Sequence, residues 1–352
     1  MWNTMSRHLS PLLALFLAGL SATGCVRQVG PDHGPVAYYQ TAHPAHDTSG
    51  PLERVLEAVR RIEVTSLYET YHFAEDEAPT TREALDEDVL SRAAEVVSTE
   101  RTRSATAVVV SRSGRDILML TARHAVHFPD TVVQYFDRGR PTEPIEPQPR
   151  RIRSISILRQ RSNWVMGLPS MDPFDVLVEG RQHDLAFLGS RYPGDDDPRE
   201  TPVLPVGAGD SDQLSWGSFV YAIGYPGGYP MVTRGIVSSP GGELPESFVI
   251  DGLWNEGMSG GVVLAVRGED GALEWVGVAR SSAAATEHRL APVEGATAEY
   301  DPWRPYAGPI FIEEVRRIQY GIMLAVPVNA VRDFVEEHRL ELQDLGYAPP
   351  DL

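Results

Sequence analysis

From Ser104 to Val328 the chain is cut into short apolar or alternating runs closed by turn-forming residues, and this punctuation restricts the possible folds more than any other feature. "SATAVVVSRSGRDILMLTARHAV" reads as two strands joined at Ser113-Gly114, a hairpin signal. "RIRSISIL", "DVLVEG", "DLAFLG", "FVYAIGYP", "VTRGIVSS", "SFVIDG", "GVVLAV", "EWVGVARSS" and "YGIMLAVPV" follow as further strands. Short strands in such succession predict an all-β barrel or sandwich, because a sheet must bury its apolar face against another sheet or close on itself. "PVNAVRDFVEEHRLELQDLG" ends the pattern as an amphipathic helix. Ahead of the strands, "PLERVLEAVRRI" places apolar residues at Leu52, Val55, Leu56, Val59 and Ile62, a helical spacing, and "REALDEDVLSRAAEVV" also reads as helical. A helical N-terminal extension is therefore expected over residues 51–103.

The 352 residues are 42% hydrophobic, enough for a two-part core. Residues 1–24 have the form of an export signal: Arg7 and His8, the apolar "LLALFLAGL" (Leu12 to Leu20), then the small residues Ala22-Thr23-Gly24. That run is too short to span a bilayer, and no later stretch is long and apolar enough. Cys25, the only cysteine, follows at once and has no partner for an intramolecular disulfide. "LSATGC" resembles the bacterial lipoprotein box, with Ala22 where leucine is usual. The resemblance implies lipidation at Cys25 and attachment to a membrane; ordinary secretion is the alternative, and both place the protein outside the cytoplasm. Residues 25–50, rich in Pro, Gly and His, read as a flexible tether, and its His33, His43 and His46 lack a metal-ligand spacing. The 31 basic residues are all Arg and face 49 acidic ones, a net charge of -18 that repels nucleic-acid phosphates.

The chemistry concentrates around "NEGMSGGVVLAV", Asn255 to Val266. Gly257-Met258-Ser259-Gly260-Gly261 fits a Gly-x-Ser-x-Gly pattern used by two families. In an α/β-hydrolase a helix follows the serine and the acid and histidine come later in the chain. Here the sequel is a short, apolar, β-branched strand, and candidate partners precede the serine: His124 after an apolar strand in "LTARHAV", and Asp184 at the head of another in "HDLAFLG". A serine hydroxyl needs an adjacent base to become a nucleophile, and a carboxylate that fixes the base's tautomer completes the set. His127, His183, Asp172 and Asp175 fit these blocks less well.

Thr121 to Val126, Asp184 to Ala186 and Gly257 to Gly261, in that order, resemble the Thr-Ala-x-His, Asp-[Leu/Ile]-Ala and Gly-x-Ser-Gly-Gly blocks of the trypsin-like serine peptidases. "AIGYPGG", "VTRGIVSS" and "LAVPVNAV" resemble the bacterial high-temperature-requirement branch of that family. The resemblance covers roughly Ser104 to His338. It implies two six-stranded antiparallel β-barrels of chymotrypsin-like form, the first over 104–198 with His124 and Asp184, the second over 199–352 with Ser259 and the closing helix. It further implies peptide-bond hydrolysis through an acyl-enzyme on polypeptide substrates, with no metal or organic cofactor. Gly257 and Ser259 take the role of oxyanion-hole donors, and Leu253 falls at a position that lines the primary specificity pocket, favouring an uncharged side chain there. Met258 stands where digestive relatives carry an aspartate, so activation by a newly cut N-terminus is not expected. Residues Glu287 to Tyr320 look like an insertion, and the peptide-binding PDZ domain that the branch often carries is not expected after the closing helix. A catalytically silent trypsin fold that binds peptides or a protein partner, and an esterase using Ser259 with His288 or His338, are the rival readings.

Overall fold

The computed structural model describes residues 37–352 except 45–46, 86–87, 137–149, 168–171, 192–200, 242–246, 254 and 293–309; at 85, 172, 281–288, 291–292 and 310–320 it describes the backbone alone. Cys25, His33, His46 and the expected export signal lie outside the described residues. Helix α1 (Ser49–Leu56) leads into a first lobe made of β1 (Val59–His72), β2 (Glu95–Ser113), β3 (Asp116–Ala122), the one-turn helix α2 (Arg123–Val126), β4 (Thr131–Tyr135), β5 (Ile152–Met166), β6 (Asp172–Pro173), β7 (Asp175–Gly180) and β8 (Leu185–Arg191). The second lobe comprises β9 (Phe219–Gly224), β10 (Met231–Ser239), β11 (Phe248–Asp251), β12 (Val262–Val266), β13 (Leu273–Pro292) and β14 (Ile310–Pro327), followed by α3 (Val328–Asp344). Its six strands close into an antiparallel barrel in the order β10-β11-β14-β13-β12-β9.

The first lobe departs from a closed six-stranded barrel. Its eight strands form one sheet ordered β4-β5-β1-β2-β3-β8-β7, with β6 beside β5, which does not close among the described residues. The reason is the length of β1 and β2: β1 pairs with β2 from Val59 to His72 and with β5 along nearly the same span, so these strands run far past the lobe's core. Their outer ends bury a small core of their own around Phe73, Ala78, Val89, Ile152 and Ile155.

The expected helical extension is corrected by the same strands. Only Ser49–Leu56 is helical, two short 3-10 turns (Glu83–Leu85 and Val89–Arg92) replace the second expected helix, and residues from Glu95 onward belong to β2. Val59 and Ile62 satisfy a helical spacing with Leu52 and Val55, but Ile62, Val64, Ser66, Tyr68 and Thr70 also alternate, and strand pairing on both edges of β1 buries that alternate set. The tether is corrected as well. Tyr39 is buried, Gln40 N–H donates to Val266 O at 2.8 Å, and Gln40 O accepts from Phe219 N–H at 2.7 Å, so residues 37–44 line the second barrel rather than float.

Three cores explain why several strands are apolar at every position. In β3, Leu118 and Leu120 face a core shared by the two lobes, while Ile117 and Met119 face the interior of the first. In β12, Val262, Leu264 and Val266 join the shared core and Val263 and Ala265 fill the barrel. A strand buried on both faces has no polar side to show. Helix α3 seals the shared core: Phe334 stacks on Phe187 of β8 with ring centroids 4.9 Å apart and planes 7° from parallel. Phe334→Ala is expected to destabilise the protein by about 3–5 kcal/mol, the usual loss for a buried phenylalanine, read as a lower urea midpoint with an unchanged slope.

Candidate active site

The second lobe offers Ser259 on a loop whose backbone only glycine permits. Gly257 and Gly260 have φ of 103° and 86°, and a Cβ on either would run into backbone atoms, of Tyr225 at Gly257 and of Thr106 at Gly260. The loop is fastened to the first lobe by one residue of β2. Thr106 N–H donates to Ser259 O at 2.9 Å, and Thr106 Oγ1 donates to Gly257 O at 2.6 Å while accepting from Tyr225 N–H at 2.9 Å. Thr106 is fully buried, and its own carbonyl accepts from Thr121 Oγ1 at 2.6 Å.

The first lobe supplies the other two side chains. Asp184, in the turn between β7 and β8, is the only non-glycine residue with positive φ among the described residues, at 55°. Such a conformation is strained for most residues and least so for Asp, Asn and Gly. It aims both carboxylate oxygens at one neighbour: Oδ1 accepts from His124 N–H at 3.0 Å, and Oδ2 lies 2.8 Å from His124 Nδ1. Asp184 O also accepts from Arg123 N–H at 2.8 Å, so the acid holds the whole start of α2.

His124 Nε2 then lies 2.9 Å from Ser259 Oγ. An ionised carboxylate at Nδ1 keeps the ring proton there, which leaves Nε2 as an acceptor for the serine proton. Ser259 Oγ also sits 2.8 Å from Arg280 O. A hydroxyl has one proton, so it is drawn either to the imidazole or to this carbonyl at any moment.

Asp184 is largely buried, and burial opposes its ionisation; the hydrogen bond and charge of His124, the His124 backbone N–H and the charge of Arg280 outweigh that effect and hold its pKa below the usual carboxylate value. Arg280 Nε donates to Asp184 Oδ2 at 3.1 Å and Nη1 to Ser247 Oγ at 3.0 Å. Sequence reasoning passed over Arg280. The available signal was a lone arginine ending the apolar run "EWVGVARSS".

The three residues face an open cleft of about 690 Å³ whose walls also include Ser104, Arg103, Pro129, Arg181 and Glu256. The structure places the lower-ranked residues elsewhere or beside this centre. His127 Nδ1 pairs with Glu179 Oε2 at 2.8 Å on the cleft wall, His183 lies against Phe334, Asp175 is exposed on β7, and the Asp172 side chain is outside the described residues. His338 pairs with Glu341 on α3 and does not line this cleft, and the His288 side chain is not described. Leu253 is 67% exposed and does not line this cleft. His43 Nε2 accepts from Arg234 at 2.9 Å, a polar contact on the barrel.

Residues 105–277 match the family model of the trypsin-like peptidase domain. Among curated proteins, the probable periplasmic serine endoproteases DegP-like of Pseudomonas putida strains GB-1 and W619 are each 29% identical over 161 residues, which cover 39% of this chain and 32% of the relative. The chain thus spans about a third of the length of these relatives. Among solved structures, the HtrA-type protease AlgW with a decapeptide is 16% identical with a TM-score of 0.44, covering 86% of this chain and 68% of that one. The same protease with a tripeptide gives 16%, 0.44, 83% and 63%. The two-lobed all-β architecture and the resemblance carried by the three blocks are both borne out.

Two expectations follow. Thr106→Val keeps the volume but strands the buried Gly257 carbonyl and Tyr225 N–H, and should cost about 1–3 kcal/mol for each group left unpaired, measured by urea unfolding. Because the folded-state pKa of Asp184 is depressed, its contribution to stability is present above the unfolded value near ~3.9 and is lost as pH falls through the lower folded value. The gap in melting temperature between wild type and Asp184→Asn should therefore be wide at neutral pH and close below the carboxylate range; a gap constant into strong acid would contradict the pairing.

Proposed function

We propose that the protein is a serine endopeptidase in which His124 takes the Ser259 proton, Ser259 attacks the scissile carbonyl, and an acyl-enzyme forms and is hydrolysed. The observation that carries this reading is the unbroken chain Asp184–His124–Ser259, with links of 2.8 and 2.9 Å across the junction of the lobes. Asp184 fixes the imidazole tautomer and offsets the charge that forms on it, and His124 returns the proton to the leaving amine. Gly257 and Ser259 serve as oxyanion donors, because no carbonyl of a described residue accepts either N–H. Losing one such donor typically costs about 100- to 1000-fold.

The relatives named periplasmic support a site of action outside the cytoplasm, and we place the protein in the cell envelope with Cys25 as its lipid anchor. Polypeptides are the substrates in this reading. The contact between Ser259 Oγ and Arg280 O favours one rival, a silent site that binds peptides without cutting them, because a serine proton held by a carbonyl is withheld from the base.

A fluorophosphonate probe separates the two. Wild type should label at Ser259 and hydrolyse a peptide library; Ser259→Ala should do neither while melting at the wild-type temperature. His124→Ala and Asp184→Asn should each lose roughly 10⁴-fold in kcat/KM, and pairing either with Ser259→Ala should cost little more, since the three act as one unit. No labelling of folded wild type would leave the binding role; wild-type hydrolysis by Ser259→Ala would remove the assignment.

A further inference from the structure

Acidic side chains outnumber basic ones 49 to 31 along the chain, yet the cleft inverts the balance. Its walls hold Arg103, Arg123, Arg181 and Arg280 against Asp184 and Glu256. Two of the four are committed: Arg123 Nε lies 3.1 Å from Glu179 Oε2, and Arg280 Nε 3.1 Å from Asp184 Oδ2. Arg103 and Arg181 have no carboxylate within ion-pair distance among the described residues. Arg103 is held by carbonyls instead, donating to His124 O at 2.7 Å and His127 O at 2.9 Å with its guanidinium 4.3 Å from the centre of the Phe128 ring.

The excess of positive charge continues along the first lobe. Arg101 on β2 and Arg161 on β5 both stand opposite Ser66 of β1, one from each side, and partners in register share a face of the sheet. Arg103 is two residues from Arg101 and so shares that face too. The Arg101 guanidinium sits 5.3 Å from the Tyr68 ring centre, and Tyr68 Oη donates to Pro129 O, on the cleft wall, at 2.8 Å. Burial raises the Tyr68 pKa, while the charges of Arg101, Arg103 and Arg161 pull it down and Asp130 alone among the neighbouring charges adds to the rise. Neither Arg101 nor Arg161 has a carboxylate partner among the described residues.

We propose that this band of arginines, from Arg181 and Arg103 in the cleft to Arg101 and Arg161 beside it, binds acidic segments of extended polypeptides and makes Asp- and Glu-containing chains the substrate class. Cleavage of such chains rests on the peptidase reading; their binding does not. Guanidinium groups grip carboxylates through two parallel hydrogen bonds, and among the described residues none of these four arginines has an acid within ion-pair distance, Glu256 reaching Arg103 only as a longer-range charge. An extended peptide repeats its same-side carboxylates about every 7 Å, the spacing that separates Arg101 from Arg103 along β2. The chain's net charge of -18 repels any polyanion at long range, but that field is screened beyond about 8–10 Å, inside which the local arginines dominate.

The test uses Ser259→Ala and three fluorescein-labelled peptides of one length, bearing Glu, Gln or Arg at alternate positions, with binding read by anisotropy. At about 50 mM salt the Glu peptide should bind at least about 10-fold more tightly than the Gln peptide, the Arg peptide should be weakest, and the advantage should largely vanish at about 500 mM. Arg101→Glu with Arg161→Glu, and separately Arg181→Glu, should erase most of the preference. Arg101 and Arg161 are exposed and lie outside the residues that line the cleft, so reversing these two in the wild-type background should leave fluorophosphonate labelling intact. Equal binding of Glu and Gln peptides, indifference to the charge reversals, or tighter binding of a single-stranded oligonucleotide of equal charge would each overturn the proposal. Absent labelling of wild type with the Glu preference intact would instead count against the peptidase reading alone.

Discussion

Thr106 is where the two lobes become one site. Its N–H and hydroxyl hold the carbonyls on either side of Met258, while its carbonyl is held by Thr121, three residues before His124. The Ser259 loop and the strand leading to His124 therefore refer to a single buried residue, and a distance of 2.9 Å between side chains 135 positions apart in the chain depends on it. The shared apolar core behind this contact, with Leu118, Phe187, Ile223, Leu264 and Phe334, keeps the lobes from sliding. Hydrogen bonds set the register, and packing makes that register stiff.

Much of this was legible in the sequence because it depends on local chemistry. The blocks around His124, Asp184 and Ser259 declare themselves through the residue types that the turn and the reaction require, and the geometry brings all three together. The closing helix was visible from its amphipathic spacing, Val328 to Asp344 in the structure. What escaped depends on partners distant in the chain. Val59 to Ile62 carry a helical and an extended pattern at once, and only the pairing of β1 with both β2 and β5 decides between them. Tyr39 looked like part of a tether because its burial depends on Glu274, to which its hydroxyl donates at 3.0 Å across 235 residues. Leu253 was read from its distance to Ser259 alone, and the loop turns it outward.

The electrostatics of the centre explain an arrangement the motifs do not mention. A buried carboxylate is costly unless it is both hydrogen-bonded and paired with an opposite charge. Arg280 supplies the counter-charge from the opposite lobe and anchors itself on Ser247, which is also buried. Asp184 is thereby held from two directions, by α2 through His124 and by β13 through Arg280, and its left-handed backbone is over-determined.

The stacking of Phe334 on Phe187 also has a consequence for the order of events during synthesis. His124 and Asp184 leave the ribosome long before Ser259, and the aromatic ring that seals the junction comes later still, near the end of the chain. Contacts of such sequence separation form late and slowly. A chain made only through β8 carries His124 and Asp184 with no Ser259 opposite them, and one lacking α3 has all three residues but an open seam. The three side chains therefore meet only after both lobes are made, and the seam behind them closes only once α3 is in place.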